Sequence, residues 1–251
     1  MKDIIAVINQ KGGVGKSTTA LSLGAGLSLR GYKVLYADLD AQGNLSHTMK
    51  ADTSGLTALD VLTQQATAAE VIQHTALGDI IPASPALAGA DAVITATGKE
   101  YRLREAMEPV KGSYDYIVID TPPALGVLTI NALTACHSAV IPAQADIYSL
   151  QGINQLYTTI DTVRKYCNPS LSIKGILLTR YSARSILSRE LSEVIEQTAQ
   201  RFNTQLFSTP IRETVAVREA QASQQDIYSY APKSNAAADY TAFVAELLER
   251  S

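Results

Sequence analysis

Short apolar runs alternate along the chain with stretches of helical periodicity. Uniformly apolar runs, rich in valine and isoleucine, are typical of parallel strands buried on both faces. They predict strands at Ile4–Ile8, Val34–Asp38, Tyr116–Ile119, Ala139–Pro142 and Lys174–Leu178. The patterns between them predict helices at Lys16–Leu29, Leu125–Ala135, Leu150–Tyr166 and Ile186–Arg201. Repeated strand–helix–strand units imply crossover connections, and therefore an α/β fold with one mostly parallel twisted sheet and helices on both faces.

The remaining segments are less regular. The stretch from about Ala51 to Gly112 predicts short helices and a weak strand around Asp79–Ile81. The last residues, AADYTAFVAELLERS, predict an amphipathic helix packed on the rest of the chain. No linker rich in proline, glycine or serine interrupts the sequence, so we expect residues 1–251 to form a single domain.

Composition and charge narrow the class of protein. The formal net charge is −3, which argues against a generally basic nucleic-acid-binding coat. The two cysteines, Cys136 and Cys167, form no CxxC pair, as expected for a reducing compartment. No apolar run approaches the ~20 residues that span a bilayer, so we expect a soluble, cytoplasmic protein.

A glycine-rich segment, QKGGVGKST, lies between the first predicted strand and the first predicted helix. This context is typical of a phosphate-binding P-loop, GxxxxGK(S/T), in which backbone N–H groups surround the phosphates. Lys16 is then expected to bridge the β- and γ-phosphates and the Ser17 hydroxyl to ligate Mg²⁺. The first glycine of the pattern is replaced by Gln10, and a second lysine, Lys11, follows it. The predicted nucleotide-binding residues of the loop are Lys11, Gly12, Gly13, Val14, Gly15, Lys16, Ser17 and Thr18.

The extra lysine has two possible roles. Lys11 is either a solvated loop residue or a cation that reaches a phosphate held by a second subunit. The segment KGGVGKST resembles the deviant Walker A loop, KGGxxK(S/T), of the P-loop ATPases of the ParA, MinD and nitrogenase iron protein group. That resemblance implies a Rossmann-like P-loop NTPase fold with ATP and Mg²⁺ as cofactors. It also implies that Lys11 acts across the interface of a nucleotide-sandwich homodimer.

Acidic residues follow two of the predicted strands. Asp38 and Asp40 lie on one face of an extended backbone, and Asp120 ends the strand of YDYIVIDTPP. Helix caps or turn residues are the alternative interpretation of the first two. YADLDAQGN resembles the DxDPQGN motif of ParA and Soj proteins, with Ala41 in place of the usual proline. The resemblance implies that Asp40 positions the attacking water, with Lys11 and Lys16 as the other catalytic residues. Asp120 is then the Walker B acid, which holds Mg²⁺ through water, and Asp38 is a further metal candidate.

The resemblance extends over essentially the whole chain. The segments PAQAD and SLQG are similar to the family's PxQxE and ALEG blocks, which implies that Asp146 lies near the nucleotide of the partner. The segments KGILLTR and YAPKS are similar to two further blocks, so Thr179, Pro210 and nearby backbone are expected to form the adenine-side wall.

Three branches of the family can be compared. Cys136 and Cys167 do not suit the cluster loop of a nitrogenase iron protein, and the acidic C-terminal helix does not suit MinD-type membrane binding. The ParA/Soj branch remains, and between Ile160 and Arg218 nine basic residues outnumber five acidic ones. Such a region is typical of phosphate-backbone binding without base readout, although a solvated helical surface is the alternative. The predicted DNA-binding residues are Arg180, Arg184, Arg189 and Arg218.

The sequence therefore predicts a DNA partition ATPase of the ParA/Soj type. The resemblance implies that ATP drives dimerisation and non-specific binding to double-stranded DNA, and nucleoid association in that state. A ParB-type centromere-binding partner is expected to stimulate hydrolysis and reset the cycle. Two alternatives remain: a metabolic P-loop enzyme of the dethiobiotin synthetase type, and a ParA-like ATPase that positions a protein cargo.

Overall fold

Residues 1–250, which are those that the computed structural model describes, form an α/β fold around a seven-stranded sheet. The strands are β1 (Asp3–Val7), β2 (Val34–Asp38), β3 (Gln73–Thr75), β4 (Gly78–Ile81), β5 (Tyr116–Asp120), β6 (Ser138–Ala143) and β7 (Ser172–Leu178). Their spatial order is β3-β4-β2-β5-β1-β6-β7. Every pairing is parallel except β3 with β4, so the predicted mostly parallel sheet is confirmed.

The helices cover both faces of this sheet. They are α1 (Lys16–Ser28), α2 (Asn44–Thr48), α3 (Ala58–Leu62), α4 (Ala68–Val71), α5 (Ala90–Val93), α6 (Arg102–Met107), α7 (Val127–Ala135), α8 (Ile147–Tyr166), α9 (Ile186–Arg201), α10 (Val215–Ala222), α11 (Ile227–Tyr230) and α12 (Asn235–Glu249). One apolar core lies between the sheet and the face that carries α7 and α8, and the other lies beneath α1 and α12.

The predicted elements agree closely with the observed ones. All five predicted strands and all four predicted helices are present, with ends that differ by at most three residues. The weak strand around Asp79–Ile81 is β4, and the antiparallel strand β3 beside it was not predicted. The C-terminal helix α12 packs on α1, and its apolar face is buried, as expected. Because β1, β2 and β5 are parallel neighbours, the loops at their carboxyl ends meet at one edge of the sheet.

Candidate nucleotide site

The predicted P-loop connects β1 to α1 at the carboxyl edge of the sheet. Gly15 precedes the first residue of α1 and has a left-handed backbone with φ of 85°, a conformation that glycine adopts without strain. Among the described residues, no side chain caps this end of α1. The N–H groups of its first turn and the helix dipole are therefore available to an anion.

Residues from distant strands hold the loop in shape. The buried Asn9 side chain donates to the Pro142 carbonyl oxygen at 2.6 Å and accepts from the Lys11 N–H at 2.9 Å. The Thr179 hydroxyl donates to the Val14 carbonyl oxygen at 2.8 Å. Sequence reasoning missed Asn9, although an amide directly after a buried strand was a visible signal. Val14 is fully buried, so only its backbone can face a ligand.

Lys16 is a buried cation at the centre of the loop. Its Nζ donates across the loop to the Lys11 carbonyl oxygen at 3.3 Å, and only 6% of the residue is exposed. Burial lowers the pKa of the Lys16 ammonium, while the charges of Asp120 and Asp40 act in the opposite direction. The arrangement brings together the predicted phosphate-binding lysine and the two carboxylates expected to act on metal and water.

Asp120 and Asp38 lie side by side where β5 and β2 end, because these residues are register partners. Neither carboxylate oxygen of Asp120 accepts a hydrogen bond of ordinary geometry from the described part of the chain, and the residue is fully buried. Burial and the neighbouring Asp38 raise the Asp120 pKa well above its ordinary value, and Ser17 and Lys16 offset only part of this. A buried carboxyl with two unused oxygens is costly unless a cation completes it.

The Asp38 carboxylate has a different environment. It accepts hydrogen bonds from the Ser46 N–H at 2.8 Å, the Ser46 hydroxyl at 2.7 Å and the Asp40 N–H at 3.1 Å. Burial nevertheless raises its pKa to about 6, against the effect of these hydrogen bonds. The geometry therefore fits a residue that anchors α2 to the loop after β2 more closely than it fits a metal ligand.

Asp40 faces the largest cavity beside the P-loop. One oxygen of its carboxylate accepts from the Gln42 N–H at 3.0 Å, which fixes the side chain in an Asx turn. The cavity measures about 410 Å³ and is also lined by Lys16, Ser17 and Gly12. A carboxylate held at this position can orient a water molecule within the cavity.

Lys11 makes an ion pair within its own chain. Its Nζ contacts the Asp146 carboxylate, and the Gln144 side-chain oxygen lies 3.4 Å away. Partial burial opposes ionisation of Asp146, but hydrogen bonds from Lys11 and from the Ser149 N–H lower its pKa overall. Lys11 and Asp146, both predicted to lie near a partner subunit, are therefore neighbours within one chain, and both side chains remain partly exposed.

A second cavity of about 190 Å³ adjoins the P-loop on the other side. Thr179, a residue predicted for the adenine-side wall, lines it together with Val217 and Tyr240. Pro210 does not line it; the wall is formed instead by the four residues that follow, from Ile211 to Thr214. The Ile211 N–H donates to the Leu178 carbonyl oxygen at the end of β7, which holds this segment at the cavity.

The four arginines predicted to bind DNA fall into two groups. Arg184 and Arg189 are exposed, in the loop before α9 and on its first turns. Arg180 and Arg218 line the smaller cavity, and Arg180 also pairs with Glu213 at 3.3 Å. Of the four, Arg184 and Arg189 line neither of the two cavities beside the P-loop.

The residues present fit a magnesium ion bound mainly by phosphate. Residues 1–250 contain no group of three or more histidine, cysteine, aspartate or glutamate side chains arranged for a metal. Mg²⁺ usually keeps several waters and takes one or two protein oxygens beside substrate phosphates. The unpartnered Asp120 oxygens and the Ser17 hydroxyl are oxygen donors of that kind. Within the same described residues, no helix is long and apolar enough to cross a membrane.

Known proteins share both this sequence and this fold. A family model described as an AAA domain matches residues 2–173. The sporulation initiation inhibitor protein Soj of Bacillus subtilis is 43% identical over 96% of each chain. The chromosome partitioning protein ParA of Myxococcus xanthus is 38% identical over 98% of this chain and 88% of its own. A Mycobacterium smegmatis structure, described as cobyrinic acid a,c-diamide synthase with bound ADP and magnesium, superposes with a TM-score of 0.86 at 35% identity, covering 99% of this chain and 95% of that one.

Proposed function

This chain belongs to the AAA-domain family that includes the Soj and ParA partition proteins, and from that premise we propose that it is an ATP-hydrolysing DNA partition protein. The observation that carries the proposal is the meeting of Lys16, Asp40 and Asp120 at the P-loop, with Lys11 at its rim. The ADP and magnesium in the Mycobacterium smegmatis structure support ATP and Mg²⁺ as the cofactors.

Each residue of the site has a distinct role in the proposal. Lys16 and the N–H groups at the start of α1 bind the β- and γ-phosphates. The Ser17 hydroxyl and Asp120 hold Mg²⁺, which neutralises phosphate charge when bound. Asp40 lies in the cavity on that side and orients the attacking water. Asp38 fixes the backbone position of Asp40, because its carboxylate accepts a hydrogen bond from the Asp40 N–H.

ATP-dependent dimerisation is the second part of the proposal. Lys11 leaves Asp146 and reaches the nucleotide of the other subunit, while Asp146 faces the partner. Exposed large apolar residues at the amino ends of α8, α9 and α10 support an interface at this edge; they are Ile147, Tyr148, Ile186, Leu187 and Val215. The same edge carries the P-loop, so the interface would cover the nucleotide.

DNA binding is the third part. Arg184 and Arg189 are the arginines whose exposure suits contact with a phosphate backbone. A dimer presents each of them twice, which would couple DNA binding to the ATP-bound state. A ParB-type partner then stimulates hydrolysis and releases the dimer, and the ATP-bound protein is associated with the nucleoid.

The decisive experiment uses Asp40→Ala. Removal of a group that positions water commonly lowers the rate by roughly 10²–10⁴-fold. ATP binding is expected to survive, because Lys16, Ser17 and Asp120 are retained. The variant should therefore accumulate as an ATP-bound dimer on DNA, with little phosphate release and no response to the partner. A variant that stays monomeric in saturating ATP, or hydrolyses ATP at the parental rate, would refute the assignment.

A metabolic synthase is the second candidate, and the description of the Mycobacterium smegmatis structure favours it. Such an enzyme would also need Lys16, but it has no use for Lys11 or for exposed arginines. Phosphate release can distinguish the two functions. Stimulation by DNA together with a ParB-type protein supports partition, whereas stimulation by a small carboxylic acid with an ammonia donor supports the synthase. Stimulation by a partner that does not bind a centromere would indicate a ParA-like ATPase for a protein cargo.

A further inference from the structure

The two cavities beside the P-loop meet at a small group of residues. Gly13, Gly15, Thr18 and Gln221 line both of them. The larger cavity contains Lys16 and Asp40, so it suits the β- and γ-phosphates. The smaller contains Thr179, so it suits the nucleoside. A nucleotide spanning both places its α-phosphate at their junction.

A hydrogen bond crosses this junction from α10. The side-chain Nε2 of Gln221 donates to the Thr18 hydroxyl oxygen at 2.7 Å, over 203 residues of sequence. An amide N–H₂ has no acceptor lone pair, so the Thr18 hydroxyl must direct its own proton elsewhere. A helical threonine commonly donates to the carbonyl four residues back. Here that carbonyl, of Val14, accepts the Thr179 hydroxyl at 2.8 Å, and within the described residues the Thr18 hydroxyl donates no hydrogen bond to it.

We propose that Gln221 is a positioning residue that turns the proton of the Thr18 hydroxyl towards the α-phosphate of the bound nucleotide. This inference rests on the proposed nucleotide-binding function. Helix α10 also contributes Val217 to the smaller cavity and anchors itself through Ala220, which is 3% exposed. One helix therefore forms part of the nucleoside wall and orients a hydroxyl for the adjacent phosphate.

The test is a double-mutant cycle on ADP-Mg²⁺ binding, measured by calorimetry with the full chain. The four proteins are the parent, Gln221→Leu, Thr18→Val and the double variant. Gln221→Leu should raise the Kd by about 3- to 10-fold, the range for one hydrogen bond. In the Thr18→Val background the same change should alter the Kd by less than about 2-fold, since no hydroxyl remains to be oriented.

Two further variants separate orientation from structural effects. The ionised carboxylate of Gln221→Glu can only accept hydrogen bonds, so the Thr18 hydroxyl would donate to it instead of to the nucleotide. This variant should therefore weaken ADP-Mg²⁺ binding more than Gln221→Leu does. Gln155→Glu places the same charge at an exposed position of α8 that lines neither cavity, and it should leave the Kd unchanged. Because the α-phosphate does not react, Gln221→Leu should raise the KM for ATP and leave kcat within about 2-fold of the parent.

The possible failures are distinguishable. If the parent binds no ADP-Mg²⁺, the proposed function fails and this inference falls with it. If the parent binds but Gln221→Leu has the parental Kd, or weakens binding equally in both Thr18 backgrounds, only the inference is wrong. A fall in kcat without a change in KM would also contradict it.

Discussion

Replacing Asp120 by asparagine should stabilise the nucleotide-free protein and abolish its response to ADP-Mg²⁺. The residue is fully buried, neither carboxylate oxygen accepts a hydrogen bond of ordinary geometry from residues 1–250, and Asp38 is its register neighbour. An unsatisfied buried polar group costs about 1–3 kcal/mol. Since the asparagine amide is still a buried polar group, we expect the free energy of unfolding to rise by about 1–2 kcal/mol at pH 7.5, in the lower part of that range.

The stability gain of Asp120→Asn should increase as the pH rises. The folded protein holds the Asp120 proton more tightly than the unfolded chain does, because its pKa is raised. The stability that comes from the neutral carboxyl is complete below its ordinary pKa and is lost as the pH rises through the raised value. The advantage of Asp120→Asn should therefore be absent near pH 4 and should grow as the pH rises through the raised pKa of Asp120. Asp38 is present in both proteins, but it is the neighbour of Asp120, so part of the gain is relief of the repulsion between the two carboxylates.

Urea and thermal unfolding with and without ADP-Mg²⁺ measure these effects. A gain of 1–2 kcal/mol corresponds to a rise in Tm of about 2–8 °C for a chain of this length. A ligand at 100 times its Kd raises the free energy of unfolding by about 2.7 kcal/mol. With saturating ADP-Mg²⁺ the parent should therefore be more stable than Asp120→Asn. Asp161→Asn, an exposed helix position, is the control and should change stability by less than about 0.5 kcal/mol. A destabilised Asp120→Asn at pH 7.5, or a gain that persists at pH 4, would refute the reasoning.

Three further variants test separate features of the molecule. Lys11→Ala should retain ADP binding but lose ATP-dependent dimerisation, measured by light scattering with a slowly hydrolysed ATP analogue; an unchanged dimer would assign Lys11 to the solvated loop. The double change Arg184→Glu and Arg189→Glu should weaken DNA binding at every sequence, and the salt slope should fall by roughly 0.9 per lost phosphate contact; unchanged affinity would exclude this surface. Gly24→Ala should destabilise by about 1–3 kcal/mol, since its Cβ would lie 2.3 Å from the buried Tyr36 ring, and a Tm equal to that of the parent would contradict the close packing.

The sequence by itself determined the elements and the identity of the loop. Short apolar runs rich in valine and isoleucine indicate buried parallel strands, because their length and β-branched composition disfavour a buried helix. The spacing of Lys11, Lys16 and Ser17 after such a run also depends only on local chain geometry. For the same reason the sequence alone places Asp40 and Asp120 at the carboxyl edge of the sheet. The short antiparallel strand β3 was missed, since its residues are polar and only partly buried.

The tertiary structure decided which distant residues meet at the loop. Lys11 and Asp146 are 135 residues apart, and Thr18 and Gln221 are 203 apart. Neither pair has a local pattern, because the contact exists only once the sheet order has brought β6 and α10 beside the P-loop. The assignment of Arg180 to the cavity rim likewise depends on the pairing of its neighbour Tyr181 with Arg212. Local periodicity encodes burial and secondary structure, whereas such neighbours are fixed by packing, to which each residue contributes only a small part of the free energy.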